Sequence, residues 1–424
     1  MAGILIVDQI QNSSNTLLIN SGALAANTVG TSQIQSGVVI SAANVTTSNL
    51  VATGTTTFTN NVSMPNTFGF KNRIINGDFK ISQYNGTSST TAANNGYAID
   101  RFIFKGSQAS KFSIQQLSAS PPAGFNTYIG LTVTSPVTIG SGDYFALGQR
   151  IEGYNIQDFG LGTSSNQPFV LSFWVYSSLT GTFGGAITSG GGDASYGFNY
   201  SIASANTWTY ITVPITGTAT GTWNANSNSI GMQVYFGLGV GSTYSATAGS
   251  WGTTNAFGST GSVSVVSTNG ATWYATGIQI EKGTQATSFD YRPYGTELAL
   301  CQRYAWVIKG IGAGNQMVAG PNFPRLGVYQ YLAYGSGTST PVPMRIAPSL
   351  TASGNFQWIT YGSTPGDGYT TGLVASGGVN LTAASNTYVA YRIGNTGNSN
   401  FGSAMVIFLL DYDGTAVLIN SAEL

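Results

Sequence analysis

Apolar and polar residues alternate along many short runs of this chain, as they do in β-strands that bury one face. The run LSFWVY shows the pattern most clearly. Leu171, Phe173 and Val175 share one face of the predicted strand and form a candidate core. Trp174 and Tyr176 lie on the opposite face, so this strand is predicted to direct two aromatic rings away from that core.

Similar runs follow one another at short intervals, with turn-forming residues between them and no long stretch of helical periodicity. Many short strands with this spacing are typical of an antiparallel sandwich of jelly-roll size. The predicted strand runs are Tyr97–Gly106, Lys111–Leu117, Thr127–Thr134, Tyr144–Ile151, Phe169–Ser178, Trp208–Ile215, Gly231–Gly239 and Ala271–Gly283.

The whole chain is predicted to be all-β, with four regions. Residues 1–66 are interpreted as an extended, intertwined β stalk for attachment, because they are rich in β-branched residues but too small in side-chain bulk to form a core alone; a disordered Ser/Thr/Asn linker is the alternative. Residues 67–295 form the first antiparallel sandwich, and 296–304 form a short helical linker rich in helix formers. Residues 305–424 form a second antiparallel, jelly-roll-like sandwich, which is expected to be the receptor-binding domain.

Composition excludes several classes of function. Only 7% of the 424 residues are charged, and 14 basic residues balance 14 acidic ones, so no basic patch for nucleic acid is expected. The chain has no histidine and one cysteine, which excludes Ser-His-Asp and Cys-His catalysis, most zinc sites and an intrachain disulfide. We expect no cofactor. No apolar segment is long enough to predict membrane insertion, and the first residues lack the features of a signal peptide.

Aromatic residues supply the candidate binding positions. Trp174 and Tyr176 could form a platform for the apolar face of a sugar ring, or could pack against a second core layer or a neighbouring subunit. Trp358, Tyr361 and Tyr369 lie in a segment rich in glycine and threonine, which we predict to form binding loops at one end of a sandwich. Packing between subunits is the alternative for these three as well.

One pair of acidic residues, Asp411 and Asp413, is close enough in sequence to act together. At positions i and i+2 of a strand, both carboxylates would lie on one face. Three interpretations stay open: a turn that begins at Asp413, a weak cation site, or the two carboxylates of a glycosidase. We therefore expect no metal as the first interpretation and keep these residues as the weak candidates.

Several motifs resemble a module common in bacteriophage tail-fibre and related virion fibre proteins. They are the sequence NGDF at 76–79, Tyr97 followed by Asp100-Arg101-Phe102, and the block from Gly277 to Trp306. The module is similar to a carbohydrate-binding jelly roll of the galactose-binding type. The opening MAGILIVDQIQ resembles the virion-attached start of marine and cyanobacterial phage fibres, and the segments PVPMRIAPSL and SAEL resemble their distal domain.

The resemblance implies structural roles for four charged residues and carries no ligand-contact motif. Asp100 and Arg101 are expected to form an ion pair with each other. Glu281 and Arg292 are expected to hold the closing strand of the first sandwich in place.

Together, the patterns and the resemblance predict a non-enzymatic tail-fibre subunit of a virion that adsorbs to a host surface glycan. Such a subunit would be made in the host cytoplasm, act outside the cell as a homotrimer, and contact tail or adaptor proteins through its first region. A capsid-attached head fibre or decoration protein is the alternative, and a glycan depolymerase is the second alternative.

Overall fold

The structure is a computed structural model that describes residues 70–309, 315–318, 332–334, 338–361, 370–375, 379–384, 388–394, 406–411 and 417–424. These residues belong to one compact unit, Met64–Leu424. The stalk predicted for residues 1–66 lies outside the described residues. The all-β class is confirmed, because antiparallel sheets make up most of the described chain.

Fifteen strands and three short 3-10 helices precede the one α-helix of the described residues. The strands are β1 Thr90–Thr91, β2 Gly96–Ile99, β3 Phe102–Gly106, β4 Phe112–Leu117, β5 Tyr128–Val133, β6 Tyr144–Glu152, β7 Phe169–Ser177, β8 Gly181–Ser189, β9 Ser195–Ile202, β10 Thr209–Ile215, β11 Ile230–Val240, β12 Ser245–Ala246, β13 Trp251–Gly252, β14 Gly258–Ser259 and β15 Thr272–Lys282. The 3-10 helices are Gly153–Phe159, Ser242–Tyr244 and Val265–Ser267, and the helix α1 is Tyr294–Gln302.

Two sheets built from these strands form the sandwich. The first has six strands in the order β1-β4-β5-β15-β7-β10, and the second has seven in the order β13-β9-β8-β11-β6-β3-β2. Leu171, Phe173 and Val175 of β7 are fully buried between the sheets, as the alternation predicted. Phe173 packs edge-on against Phe236 of β11 at a ring-centroid distance of 4.9 Å. Apolar side chains of both sheets therefore form a single core.

Trp273 lies at the centre of this core with no exposed surface. Its ring contacts Phe236 at 5.4 Å between centroids, and its indole N–H donates to the Tyr200 hydroxyl at 3.0 Å. A buried indole N–H without an acceptor is costly, and Tyr200 supplies that acceptor across the sandwich.

Two details of the strand prediction are corrected. The run Tyr97–Gly106 was predicted as one strand, but it divides into β2 and β3 around a two-residue turn at Asp100 and Arg101. Arg101 has a φ of 70°, a conformation that is uncommon for a side chain of its size, so the turn could not be recognised from local residue preferences. The hairpin of β8 and β9 was not predicted either.

The strand β8 could not be recognised from the sequence because it contains two consecutive glycines. Gly184 and Gly185 interrupt its alternation, and glycine ordinarily weakens a strand. Gly185 is required here because an added Cβ would lie 2.2 Å from the carbonyl oxygen of Tyr235 on the neighbouring strand.

The first described segment packs against the last strand of the sandwich and against α1. Asn72 accepts a hydrogen bond from the backbone N–H of Ile280 at 3.1 Å and donates to the carbonyl of Ile278 at 3.0 Å. The Asn76 N–H donates to Glu297 of α1 at 2.6 Å, and Glu297 pairs with Arg292 at 3.2 Å. We call Asn72, Asn76, Arg292 and Glu297 the closing cluster. All four are buried.

After α1 the described strands fall into three small antiparallel sheets. Their orders are β16-β26-β20, β17-β25-β21-β22 and β18-β24-β19, with β23 paired to β24. The strands are β16 Ala305–Lys309, β17 Asn315–Val318, β18 Leu332–Tyr334, β19 Thr338–Ser339, β20 Ser349–Ser353, β21 Asn355–Tyr361, β22 Thr370–Ala375, β23 Val379–Ala384, β24 Tyr388–Gly394, β25 Val406–Asp411 and β26 Val417–Ser421.

The residues after β26 lie on the outer face of the second sheet of the sandwich. Arg101 forms an ion pair with Glu423, and its guanidinium lies 3.5 Å from the centre of the Tyr304 ring. The carbonyl of Leu424 accepts hydrogen bonds from Arg150 and from the Tyr97 hydroxyl. These contacts join the last residues of the chain to the sandwich.

The expected ion pair between Asp100 and Arg101 is therefore wrong, because each of the two side chains binds a different residue. Asp100 accepts hydrogen bonds from the backbone and side-chain amides of Gln83, whereas Arg101 pairs with Glu423. The two residues form the turn between β2 and β3 and direct their side chains to different partners. Burial raises the pKa of the Asp100 carboxyl, which the hydrogen bonds from Gln83 oppose.

Candidate functional site

Six aromatic side chains lie on the outer face of the six-stranded sheet, and we call them the aromatic face. They are Tyr128, Trp174, Tyr176, Trp208, Tyr210 and Tyr274. Most come from positions that alternate with core residues: Phe173 and Val175 flank Trp174, for example, and both are fully buried. The alternation that builds the core therefore also builds the aromatic face.

Strand order brings these residues together. Tyr274 of β15 is opposite Tyr176 of β7 in the antiparallel register, and Trp174 is opposite Tyr210 of β10. Tyr274 is also opposite Gly130 of β5, where an added Cβ would lie 3.2 Å from the Tyr274 ring. The glycine thus leaves space for that ring to lie flat on the sheet.

Four of the rings form a closed group, the aromatic quartet, which consists of Tyr128, Tyr176, Trp208 and Tyr274. Tyr176 and Tyr274 are stacked at 5.1 Å with only 6° between their planes. Trp208 contacts Tyr176 at 5.5 Å and Tyr128 at 5.2 Å, and Tyr128 contacts Tyr274 at 5.5 Å. Mutual contacts of this kind hold each ring in place. Tyr128 is buried, at 5% exposure, whereas Tyr176, Trp208 and Tyr274 stay half-buried.

Hydrogen bonds fix two members of the quartet. The Trp208 indole N–H donates to the carbonyl of Ser120 at 2.9 Å, and the Tyr128 hydroxyl donates to the carbonyl of Ala119 at 2.8 Å. Burial, and then the neighbouring Tyr274 and Tyr176, raise the pKa of the Tyr128 hydroxyl, so it stays a neutral donor. The quartet is a preorganised surface.

A second aromatic group, the aromatic pair, consists of Trp174 and Tyr210. Their ring centroids are 5.2 Å apart, with 47° between the planes. Tyr210 is 44% exposed, and Trp174 is half-buried beside it. Trp174 is two residues from Tyr176 on the same strand, so the pair is offset from the quartet by about 7 Å along β7.

Polar atoms at the tips of several rings are available to a ligand. The hydroxyls of Tyr176, Tyr210 and Tyr274 and the indole N–H of Trp174 have no hydrogen-bond partner among the described residues. Flat apolar rings with free hydroxyl and N–H groups at their edges suit a ligand with an apolar face and a polar rim.

The outer face of the seven-stranded sheet is covered instead. Tyr235 of β11 has no exposed surface because Phe257 packs against it at 5.0 Å and Tyr144 and Tyr244 extend the same cluster. Glu423 covers another part of this sheet near Arg101. A flat ligand therefore has less access to this sheet than to the aromatic face.

The other predicted site residues are distributed as follows. Trp358 and Tyr361 lie in the backbone of β21, and Asp411 is the last residue of β25; their side chains, together with Tyr369 and Asp413, lie outside the described residues. The loop predicted for Trp358 and Tyr361 is therefore wrong, because both belong to a strand. The roles predicted for the five residues are not tested by the described side chains.

Glu281 and Arg292 do not contact each other. Glu281 accepts hydrogen bonds from the N–H and hydroxyl of Thr287, at 2.8 and 2.7 Å, and lies 4.0 Å from Lys71. Arg292 pairs with Glu297 in the closing cluster. Glu281 and Arg292 therefore bind different chain segments near the end of β15.

No group of three or more His, Cys, Asp or Glu residues in the described ranges is placed to hold a metal ion. None of the helices in the same ranges has the length and apolarity needed to cross a bilayer. Cys301 is buried in α1, and burial raises the pKa of its thiol, which is consistent with a packing role.

Comparison with known proteins gives similarity at the level of the fold. No protein-family model matches the chain, and no curated protein matches it. A putative sugar binding protein from Bacteroides thetaiotaomicron VPI-5482 is 12% identical with a TM-score of 0.31, over 50% of this chain and 100% of its own. TmCBM61, solved in complex with β-1,4-galactotriose, is 10% identical with a TM-score of 0.27, over 50% of this chain and 100% of its own.

A third similar structure is the enzymatically active domain of tailspike protein 4 from bacteriophage CBA120. It is 12% identical with a TM-score of 0.27, and the match covers 50% of this chain and 22% of the tailspike chain. TM-scores of this size are low. The ligand of the present chain therefore has to be argued from its own aromatic face.

Proposed function

We propose that this chain is a carbohydrate-binding protein and that the aromatic face of its β-sandwich is the binding surface. The observation that carries the proposal is a sheet surface on which five partly exposed aromatic rings are held by one another, by the buried Tyr128 and by the strands. Stacking of a pyranose on such rings removes apolar surface from water on both sides. The free hydroxyls at the ring edges would then accept or donate hydrogen bonds to the sugar.

The alternative explanation for exposed aromatics is packing against another protein. Tyr210 and Trp174 favour a sugar because Tyr210 is exposed beside Trp174, and the next outward position along β10 is the exposed, hydroxyl-bearing Thr212. Protein interfaces bury a continuous apolar centre. Two small groups of rings bordered by hydroxyl groups suit a polyhydroxylated ligand better.

Substitution on the face tests the proposal. Tyr210→Ala and Trp174→Ala should each reduce binding on an array of bacterial surface glycans by at least tenfold, whereas Tyr154→Ala should leave it unchanged. Tyr154 is the matched control because its ring is 57% exposed but lies on the 3-10 helix after β6. Equal binding by all three variants would reject the aromatic face as the site.

We further propose that the chain acts in a virion as a non-enzymatic, homotrimeric fibre subunit that adsorbs to a host glycan. The resemblance of its motifs to phage fibres supports this biological placement. Individually weak sugar contacts become strong when three copies bind one surface. Attachment to tail or adaptor proteins would fall to residues 1–66.

The biological placement has its own measurements. Native mass spectrometry should give a trimer, and labelled protein on intact particles should localise to the tail. Label at capsid vertices would instead favour a head fibre. Release of reducing ends from host polysaccharide, abolished by Asp411→Asn or Asp413→Asn, would favour a depolymerase.

A further inference from the structure

The aromatic face lacks charged groups. In the strands β4, β5, β7, β10 and β15, the outward positions carry only serine, threonine, glutamine, leucine, glycine, proline and aromatic side chains. These outward residues are Ser113, Gln115 and Leu117 of β4; Tyr128, Gly130 and Thr132 of β5; Thr272, Tyr274 and Thr276 of β15; Ser172, Trp174 and Tyr176 of β7; and Tyr210, Thr212 and Pro214 of β10.

Charged residues near the ends of the face are distant or already bound. Lys111 precedes β4 and lies four residues from Gln115, which corresponds to about 13 Å along an extended strand. At the opposite end, Glu281 is 1% exposed and is held by Thr287. No cation within the described sheet is therefore placed to pair with a carboxylate or phosphate that lies on the rings.

This absence has a consequence for the ligand. An anionic sugar on the face would lose part of its hydration without gaining an ion pair, and an uncompensated charge near apolar rings is unfavourable. An uncharged sugar loses much less on leaving water and gains the same stacking. The face therefore discriminates against acidic glycans because it lacks a cation that could pair with their charge.

The two aromatic groups also limit the length of the ligand. The quartet and the pair are separated by about 7 Å along β7, and no wall of described residues closes the sheet between Tyr176 and Trp174. One sugar ring covers one group. A ligand that contacts both groups must be an extended chain with at least two units.

Resting on the proposed function, we infer that the aromatic face binds two or more consecutive units of an uncharged glycan chain, one unit on the quartet and the next on the pair. Acidic glycans, whose carboxylates or phosphates find no partner on the sheet, are excluded. Binding is then governed by stacking area and chain length and depends little on salt.

The test begins with the full chain on an array of neutral, uronate-containing and phosphorylated oligosaccharides. Neutral oligosaccharides should bind at least tenfold more tightly than acidic ones of the same length. Titration calorimetry with the best neutral oligosaccharide should give affinities that change less than twofold between 50 and 500 mM NaCl. The monosaccharide of that series should bind at least tenfold more weakly than the trisaccharide.

Variants separate the two aromatic groups. In Tyr210→Ala, the advantage of the trisaccharide over the monosaccharide should shrink to less than threefold, because the second unit has lost its platform. Tyr210 is a safe position to change because its ring is 44% exposed. Trp174→Phe, which keeps a ring, should retain most of the length dependence.

The outcomes distinguish this inference from the proposed function. Binding to acidic glycans that weakens at high salt and is lost in Tyr210→Ala would overturn the inference and leave the aromatic face as a glycan site. Equal affinity for monosaccharide and trisaccharide would overturn the two-unit site in the same way. Absence of binding to every glycan on the array, or binding that Tyr210→Ala and Trp174→Ala leave intact, would overturn both.

Discussion

The ion pair between Arg101 and Glu423 gives the sharpest stability prediction. Both side chains are almost completely buried, with exposed fractions of 1% and 6%. The change Glu423→Gln keeps the shape of the side chain but leaves the Arg101 cation buried without its counter-charge. Removing one partner of a buried pair costs about 3–5 kcal/mol, so opening of the segment after β26 should become more frequent by a factor of about 10² to 4 × 10³.

Hydrogen exchange measures this opening directly. Amides in β26, Val417–Ser421, should lose protection in Glu423→Gln, while those of β7 in the sandwich core should keep it. The matched control is Asp158→Asn, the same acid-to-amide change in a pair with Arg73 at 2.8 Å. That carboxylate is 48% exposed, so the control should cost less than about 1 kcal/mol.

A double variant separates the effect of the unpaired charge from the effect of lost packing. Replacing both partners with apolar residues, Arg101→Met with Glu423→Leu, removes the unpaired charge and should restore most of the lost protection. Equal protection in Glu423→Gln and Asp158→Asn would refute the reasoning, because burial would then make no difference to the pair. Failure of the double variant to recover would show that the loss came from packing against Tyr304 and not from charge.

Three further predictions concern the sandwich. Gly277→Ala should lower the free energy of unfolding in urea by about 2–4 kcal/mol, because the φ of Gly277 is 63° and the new Cβ would lie 2.6 Å from the Phe125 ring. The control Gly270→Ala, with a φ of 70° and open space around it, should lower it by only about 1 kcal/mol. Lys105 should be acetylated at a half-maximal rate near pH 8, because burial and then Arg150 lower its pKa to about 8; reactivity that rises only above pH 10 would contradict this. Hydrogen bonds in the turn after β8 lower the pKa of Asp193 to about 2, so its contribution to stability is present above pH 4 and is lost as the pH falls towards 2. In Asp193→Asn, the free energy of unfolding should therefore depend less on pH over that interval. An unchanged pH dependence would contradict the prediction.

Local alternation was sufficient to predict much of the sandwich. The strands β7, β10, β11 and β15 lie within one or two residues of their predicted runs, and Trp174 and Tyr176 lie on the outward face that alternation assigned to them. Period two is reliable here because one face of each strand is buried against a second sheet. The glycine-rich β8 lacked that signal.

The composition of the aromatic face could not be predicted in the same way. Tyr128, Trp208 and Tyr274 join Tyr176 only because β5, β15, β7 and β10 are neighbours in the sheet, and strand order is not written in local periodicity. A partial signal was present, since Trp208 and Tyr210 alternate with the apolar Ile211 and Val213. The partner of Arg101 was beyond local reasoning, because Glu423 is 322 residues away.

The closing cluster determines how the sandwich responds to tension along the chain. The chain arrives at Asn72 and departs at Arg292, and these two residues are bound to each other: Arg292 donates to the carbonyl of Asn72, and also to that of Ile74 at 3.2 Å. A force that pulls the chain in opposite directions at Asn72 and Arg292 therefore loads the hydrogen bond between these two residues in shear. The two sheets lie outside the path of that force. The aromatic face would keep its shape while the chain that precedes Asn72 and the chain that follows Arg292 are pulled apart.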